Sequence, residues 1–428
     1  MAEYPLFTVI IPQKNRAEYL IHTLRTCMIQ DYPNCEFIVA DDCSEDNSVE
    51  MVRELMKKDS RIKLIAHDHH VGMRDNFESA LSAVRSGYVM ALGGDDGLVP
   101  GCFWRMYEII KETGTQLMCW TNTIYFYQHS KNDIARLVVP RRRENGYKWI
   151  KSEDFLNQIA RTFNYLVPEC PMFYMQGIAS TELVDRVKSR TADGCFYYCP
   201  TPDGYSGVVL AGEVEKYVFV NEPLAVTGST NKSQGVLYRK NDEKSQKEAQ
   251  EFFNDNIRRT MHKDLASQPY SPVETLMTAD YLLTARDLPG WPGKFEMFSY
   301  EELLRKSFLK FVKEKWENEI LVRELRILKE IAKQHDLMPL FDDLMKNTKR
   351  KVVRKNAFSG FVITKQSYIF SSEEVQIHNV YDAALASRFA YYSCKLITVK
   401  EFFNVLKRAF RTILNTRNYT IETLPDID

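Results

Sequence analysis

The chain has 428 residues, more than one hydrophobic core usually spans, so two domains or more are expected. Hydrophobic residues make up 44% and charged residues 27%, a balance that excludes disorder over most of the length. Lys plus Arg and Asp plus Glu stand at 57 each, so no global field draws in nucleic acid or an acidic polymer, and no nucleic-acid partner is expected.

The nine Cys are scattered without a Cys-x-x-Cys pair, which disfavours a zinc ribbon and suits free thiols in a reducing compartment. Residues 1–7 include Glu3 and lack the basic flank and apolar run of a secretory signal. No run of about 20 apolar residues suggests a membrane span. A cytoplasmic protein is the expectation.

Residues 8–11 (Thr-Val-Ile-Ile) are β-branched and are followed by Pro12, as in a buried strand. Helical spacing follows over 17–30, with Tyr19, Leu20, Leu24, Cys27 and Met28 on one face. A second strand, 36–40, ends in Asp41-Asp42; Ser44 to Asp46 then supply turn and cap chemistry for a helix carrying Val49, Val52, Leu55 and Met56. A third strand is read at 63–66, a helix around 76–84, and a fourth strand at 88–92 that runs into Gly93-Gly94-Asp95-Asp96. Alternation at this spacing predicts parallel strands with right-handed crossovers, whose ligands bind beyond the carboxyl ends of the strands. Residues 12–16, 41–42, 72–76 and 95–96 all fall at or just beyond those ends.

Neither a Gly-x-Gly-x-x-Gly turn after the first strand nor a Gly-Lys-Ser/Thr loop is present. A diphosphate bound at this edge therefore calls for a metal, and paired carboxylates at a strand end are what a hard divalent cation takes.

Taken together these residues resemble the family-two glycosyltransferases of GT-A fold. Ile10-Ile11-Pro12-x-x-Asn15-Arg16 is similar to their opening strand and turn. Phe37-Ile38-Val39-Ala40-Asp41-Asp42-x-Ser44-x-Asp46 is similar to their second-strand motif, and Gly87-Tyr88-Val89 through Asp95-Asp96 with Pro100 to the approach to their Asp-x-Asp metal motif. The chain departs from that pattern at Gly93, which stands where the first Asp is usual, and at Lys14, where an aromatic is common. Farther on, Pro202-Asp203, the strand around Tyr217 to Val220 and Pro223-Leu224 resemble the second half of such a domain, and residues 228–233 resemble a loop that closes over the diphosphate.

The resemblance implies an α/β, Rossmann-like nucleotide-sugar domain, a mostly parallel sheet flanked by helices. It implies a metal-assisted leaving group, with Mn2+ or Mg2+ on Asp95 and Asp96 and the direct ligand open between them. Asp203 would be the general base of a single, inverting displacement. Asp42 is the candidate for the uracil or ribose contact, with Asp41 its alternative; Arg74 and Lys232 are candidate diphosphate partners. Pro12, Asn15, Arg16, Asn76, Gly94 and Ser229 complete the expected nucleotide-sugar site. The donor is expected to be a nucleotide-sugar, a UDP-sugar first, and the acceptor a glycan, surface polysaccharide or lipid-linked glycan.

Plainer readings stand beside these. Asp203 could cap the helix after Pro202, Ser229 could be a turn residue, and Lys14 and Arg16 could be surface charges. His67, His69 and His70 show no carboxylate partner at a recognisable spacing and are read as a surface turn. Arg141 to Arg143 are read as a solvated loop. The alternative functions are a nucleotidyltransferase, against which the first strand lacks a Gly-rich Arg-Lys loop, and an inactive glycan-binding or assembly module.

The catalytic domain is expected over 1–239 and a mainly helical region over 240–428, with further divisions near 288–293 and 350. Residues 301–333 read as one long amphipathic helix that packs on the catalytic domain or on a second copy of the chain. Strands are read at 361–364 and 367–370, and a helix near 381–392. A last helix, 399–415, carries Lys400, Lys407, Arg408 and Arg411 opposite its apolar side. It either packs on its own domain or lies on an anionic membrane surface at the inner face.

Overall fold

A computed structural model describes residues 4–128, 134–141, 146–230, 252, 255, 260–313, 316, 318–353, 362–363, 367–371, 376–393 and 419–423. The chain begins β1 (Phe7–Gln13), α1 (Ala17–Met28), β2 (Cys35–Asp41), α2 (Ser48–Met56), β3 (Ile62–Ala66), α3 (Met73–Ser82) and β4 (Tyr88–Ala91). It continues with β5 (Gly97–Leu98), α4 (Cys102–Thr113), β6 (Leu117–Trp120), β7 (Thr123–Phe126), β8 (Arg136–Pro140), β9 (Tyr147–Lys151) and α5 (Ser152–Thr162). Then come β10 (Gly177–Ser180), α6 (Thr181–Lys188), α7 (Asp203–Gly212), β11 (Lys216–Val220) and β12 (Ala225–Ser229).

An eight-stranded sheet runs β3-β2-β1-β4-β10-β6-β11-β9. Its first four strands are parallel, as the alternation predicts. β10 runs antiparallel to both β4 and β6, so the rest of the sheet is mixed. β10 follows the irregular stretch 163–176 instead of a crossover helix, which leaves its direction free. Alternate residues of β1 feed the two faces: Ile10 joins one core cluster, and Val9 and Ile11 join the other. That double burial is why the strand reads as a continuous apolar run.

Pro12 does not end β1, because it pairs with Ala40 inside the ladder with β2. The Ile10 carbonyl accepts from Leu92 on the β4 side, and β4 pairs no farther than Ile10. Pro12, two residues on, faces the same side, where no N–H is called for.

A second sheet of six strands runs β14-β15-β8-β7-β12-β5 and draws on the far end of the chain. The remaining elements are α8 (Glu274–Arg286), α9 (Tyr300–Lys313), α10 (Asn318–Gln334), α11 (Met338–Asn347), β13 (Lys349–Val353), β14 (Val362–Ile363), β15 (Ser367–Ser371), α12 (Val380–Ser393) and β16 (Tyr419–Thr423). β15 pairs with β8, and Val380, Ala383 and Ala384 of α12 pack with Val99, Tyr125 and Val226. Met277, Tyr281 and Leu282 of α8 share a core with Val208 and Val209 of α7.

The 288–293 break docks into this core. Trp291 donates its indole N–H to the Val209 carbonyl at 3.0 Å. A β-carbon at Gly212 would stand 2.1 Å from the Trp291 ring, so only glycine there lets the indole in. The single helix read over 301–333 is two, α9 and α10. Buried Trp316 lies between them and meets Phe311 edge-on at 5.5 Å, a contact that turns the chain back on itself. The expected boundary at 239–240 and the basic helix at 399–415 lie outside the described residues.

Candidate active site

The parallel strands end in loops that bind one another. Asn15 takes a left-handed backbone, φ 54°, a conformation its short amide tolerates. Its N–H donates to Ser44 Oγ at 2.8 Å and its Oδ1 accepts the Glu45 N–H at 2.8 Å. Asp46 accepts the Ala17 N–H at 3.0 Å, so the β1 and β2 loops are stitched at three points.

Asp41 and Asp42 are almost fully buried at those ends. Asp41 accepts the Gln13 side-chain amide and the Ser44 N–H, the latter at 2.8 Å. Asp42 accepts Val71 N–H at 2.7 Å and Gly72 N–H at 3.2 Å, and His70 Nδ1 stands 2.8 Å away. His70 also reaches Asp255 through Nε2 at 3.0 Å and lies 3.2 Å from Lys14 Nζ. His70 is exposed beside a bend, as the surface-turn reading has it, but it does have carboxylate partners. Its carboxylate partners come from distant parts of the chain, which spacing does not show.

Asn76 donates to the Ala40 carbonyl at 3.0 Å and pins α3 to the end of β2; its Oδ1 is buried with no partner. Arg74 points its guanidinium to the 193–197 segment, donating to the Tyr197 carbonyl and lying 3.4 Å from Asp193 and 2.9 Å from Asp75. Ser229 closes β12, its carbonyl accepting the Tyr127 N–H at 3.0 Å. Lys232 lies outside the described residues.

The two acids of the 93–96 turn have different environments. Asp95 Oδ2 meets Arg16 Nη1 at 2.8 Å and accepts Thr230 Oγ1 at 2.9 Å. Asp96 is held by backbone amides, Gly93 N–H on Oδ2 at 2.7 Å and Gly228 N–H on Oδ1 at 2.8 Å. Burial and the neighbouring Asp95 push the Asp96 carboxyl up to about 7, against the pull of those two amides and Arg16. Burial weakens the Arg16 charge, but Asp95 more than restores it and holds the guanidinium above its ordinary value. Thr230 lies within the 228–233 loop read from the sequence but is not singled out there as a site residue.

Close approach explains the glycines here. A β-carbon at residue 228 would stand 1.8 Å from the Asp95 carbonyl oxygen, so β12 lies on the turn only as glycine. At Gly94 the nearest atoms to such a carbon are Gln13 Cβ at 3.3 Å and Arg16 Cδ at 3.4 Å, which puts the turn against the β1 loop. Above Gly93, the position of a β-carbon is ringed by Tyr174 Oη at 2.3 Å, Asp96 Oδ2 at 2.9 Å and Asp95 Oδ1 at 3.0 Å. The two carboxylate oxygens at this cradle are hard donors of the kind a divalent cation takes. Among the described residues, no group of three or more His, Cys, Asp or Glu side chains is placed to hold a metal ion, so Asp95 and Asp96 are the two acids available here.

Asp203 opens α7 and keeps some exposed surface, yet burial pushes its carboxyl up to about 6. Its charge is felt by Tyr165, Tyr174, Tyr197, Tyr270 and Tyr281, which surround it with phenol rings. A β-carbon on Gly204 would collide with Tyr281 at 2.5 Å and Tyr165 at 2.6 Å, so this wall packs against the helix start. Backbone bonds tie Asp203 to the acid pair. Ser206 Oγ donates to the Asp203 carbonyl at 2.6 Å and accepts Phe173 N–H at 3.0 Å. The Phe173 carbonyl accepts Ala91 N–H at 2.9 Å, at the end of β4.

The four parallel strands β3-β2-β1-β4 with helices α1, α2 and α3 between them, and the acid pair just beyond β4, are the nucleotide-binding half of a GT-A fold. Residues 8–174 match the model of glycosyl transferase family 2. Among curated proteins, the glycosyltransferase GlyG of Streptococcus pneumoniae is 23% identical over 150 residues, 35% of this chain and 45% of that protein. The GalNAc(5)-diNAcBac-PP-undecaprenol beta-1,3-glucosyltransferase of Campylobacter jejuni is 33% identical over 109 residues, 25% of this chain and 35% of the enzyme. The chain thus spans under half the length of these relatives. Among solved structures, S. aureus TarS 1-349 in complex with UDP-GlcNAc superposes with a TM-score of 0.43 at 13% identity, covering 84% of this chain and 95% of that one.

Proposed function

We propose that the chain transfers a sugar from a nucleotide diphosphate, a UDP-sugar, to a hydroxyl of a glycan or lipid-linked acceptor, with inversion. One observation carries this reading. The Tyr174 hydroxyl stands with the Asp95 and Asp96 carboxylates over Gly93, and Ser206 ties the Asp203 carbonyl to Phe173, the neighbour of Tyr174, so the acid pair and Asp203 flank one tyrosine. A leaving group at the first and an attacking hydroxyl at the second would meet at the anomeric carbon between them.

Asp203, as carboxylate, accepts the proton of the acceptor hydroxyl as that oxygen bonds to the anomeric carbon. The bond from that carbon to the diphosphate oxygen breaks on the opposite face, and the nucleoside diphosphate leaves. A divalent cation, Mn2+ or Mg2+, held by Asp95 and Asp96 would neutralise charge gathering on the departing diphosphate. Arg16, rather than Arg74, is the phosphate partner in this reading, since its guanidinium already lies on the acid pair. Lys232 keeps its assignment beside it. Asp42, with His70, and Asp41 serve the uracil and ribose. The Campylobacter relative, named for an undecaprenol-linked acceptor, supports a lipid-linked glycan as one acceptor class.

Thermal shift with UDP, GDP and CMP, each with and without manganese, tests the donor half of this proposal. Stabilisation by UDP that manganese strengthens is expected. No stabilisation by any nucleoside diphosphate would defeat it.

A further inference from the structure

The missing acid at Gly93 has a local cause. Gly93 carries no side chain because the hydroxyl of Tyr174 stands in its place: a β-carbon there would come within 2.3 Å of Tyr174 Oη. An acid at 93 and a tyrosine at 174 exclude one another in this fold. Tyr174 is set with some rigidity. It bridges Ala91, the Phe173 carbonyl accepts Ala91 N–H at 2.9 Å, and Met175 N–H donates to the Ala91 carbonyl at 2.7 Å. Its ring meets Phe77 of α3 at 5.9 Å. Contacts with β4 and α3 thus hold the residue whose phenol oxygen lies at the cradle over the turn.

We infer that Tyr174 is a donor-binding residue: its hydroxyl gives a hydrogen bond to a diphosphate or sugar oxygen of the nucleotide-sugar at the position that an acid at residue 93 would otherwise occupy. The inference rests on the reading of 93–96 as the diphosphate site. A carboxylate can only accept hydrogen bonds or bind a cation, whereas a phenol donates to an anionic oxygen without any cation. A phenol ordinarily loses its proton only near pH ~10, so the donor function persists across the working pH range. The exchange also removes one negative charge from the site. Part of the diphosphate's binding then comes from a neutral donor, and the cation carries less of it.

Isothermal titration with UDP and with UMP, each with and without manganese, tests this on the full chain and on Tyr174→Phe. The variant is expected to bind UDP about tenfold more weakly even without manganese, the loss of one hydrogen bond to a charged oxygen. UMP affinity, which does not use the β-phosphate, should change far less. Equal loss for UMP and UDP, or no loss for UDP, would overturn the assignment of Tyr174. Failure of the parent chain to bind either nucleotide would instead bring down the donor-site reading, and the inference with it. A second arm reads packing alone. Gly93→Asp should lower the melting temperature sharply in the parent and much less on top of Tyr174→Ala; equal penalties in both backgrounds would show that the hydroxyl does not hold that place.

Discussion

Arg16 Nη1 lies 2.8 Å from Asp95 Oδ2 in a pair whose side chains are 19% and 5% exposed. The cation comes from the first loop and the acid from the fourth strand end, so the pair joins the two halves of the nucleotide site. Replacing Arg16 by Ala removes the cation from buried Asp95 and leaves it, among the described residues, the Thr230 hydroxyl. Removal of one partner from a buried pair costs about 3–5 kcal/mol, and the partial exposure of Arg16 brings the expected loss to the lower part of that range or below. Urea unfolding should show this, together with a loss of UDP affinity of tenfold or more.

Asp96 and Asp95 should answer differently to the same change. Asp96→Asn puts an amide NH2 where a carboxylate oxygen accepts a backbone N–H, from either Gly93 or Gly228. An unmet buried donor costs about 1–3 kcal/mol, so this variant should lose stability with or without ligand. Asp95→Asn also loses stability, because it breaks the Arg16 pair, but it should lose more of the manganese-dependent gain in UDP binding than Asp96→Asn does. Equal effects of the two substitutions on both readouts would contradict the division of labour between clamp and ligand.

Acidification should switch the reaction off. A general base works deprotonated, and the Asp203 carboxyl is pushed up to about 6. With saturating cation and donor, kcat/KM is therefore expected to fall about tenfold per unit below pH 6. Asp203→Asn should abolish transfer at every pH while leaving donor binding near that of the parent. The sign for stability is opposite to that of an ordinary paired acid. The folded value lies above the ordinary 3.8, so the buried charge weighs against folding above pH 6, and that penalty fades as pH falls toward 4. Asp203→Asn should thus be no less stable than the parent at pH 7.5, and its relative stability should decline toward pH 4.

Trp291 tests whether the far part of the chain belongs to the catalytic core. Trp291→Ala removes an indole seated over Gly212 and its bond to the Val209 carbonyl. A loss of about 3–5 kcal/mol is expected. Because Val209 lies on the helix that Asp203 opens, the same variant should also weaken transfer more than it weakens UDP binding.

The strand ends were legible because chemistry there is local in sequence. β-branched runs followed by Asn15, Asp41-Asp42 and Asp95-Asp96 carry both the strand pattern and its polar terminus within a few residues. Pattern could not show which acid is a clamp and which faces the cleft. That is decided by Gly228 and Thr230, more than 130 residues farther along. The contacts of His70 with Asp42 and Asp255, and of Arg74 with the 193–197 segment, are hidden in the sequence for the same reason. The tyrosines around Asp203 come from separate segments and read as plain core aromatics in sequence. The long helix over 301–333 shows the complementary failure. Its 3.6-residue periodicity continues through Trp316, whereas the structure has one helix ending at Lys313 and the next starting at Asn318.

The most direct measurement of the central claim is proton NMR of the products formed when the full chain is incubated with a panel of nucleotide-sugars and manganese, water serving as the slow acceptor. The account predicts release of free nucleoside diphosphate, UDP first, with the sugar appearing initially as the inverted anomer, and neither product with Asp203→Asn. Cleavage between the phosphates, release of the retained anomer, or full activity in Asp203→Asn would contradict it.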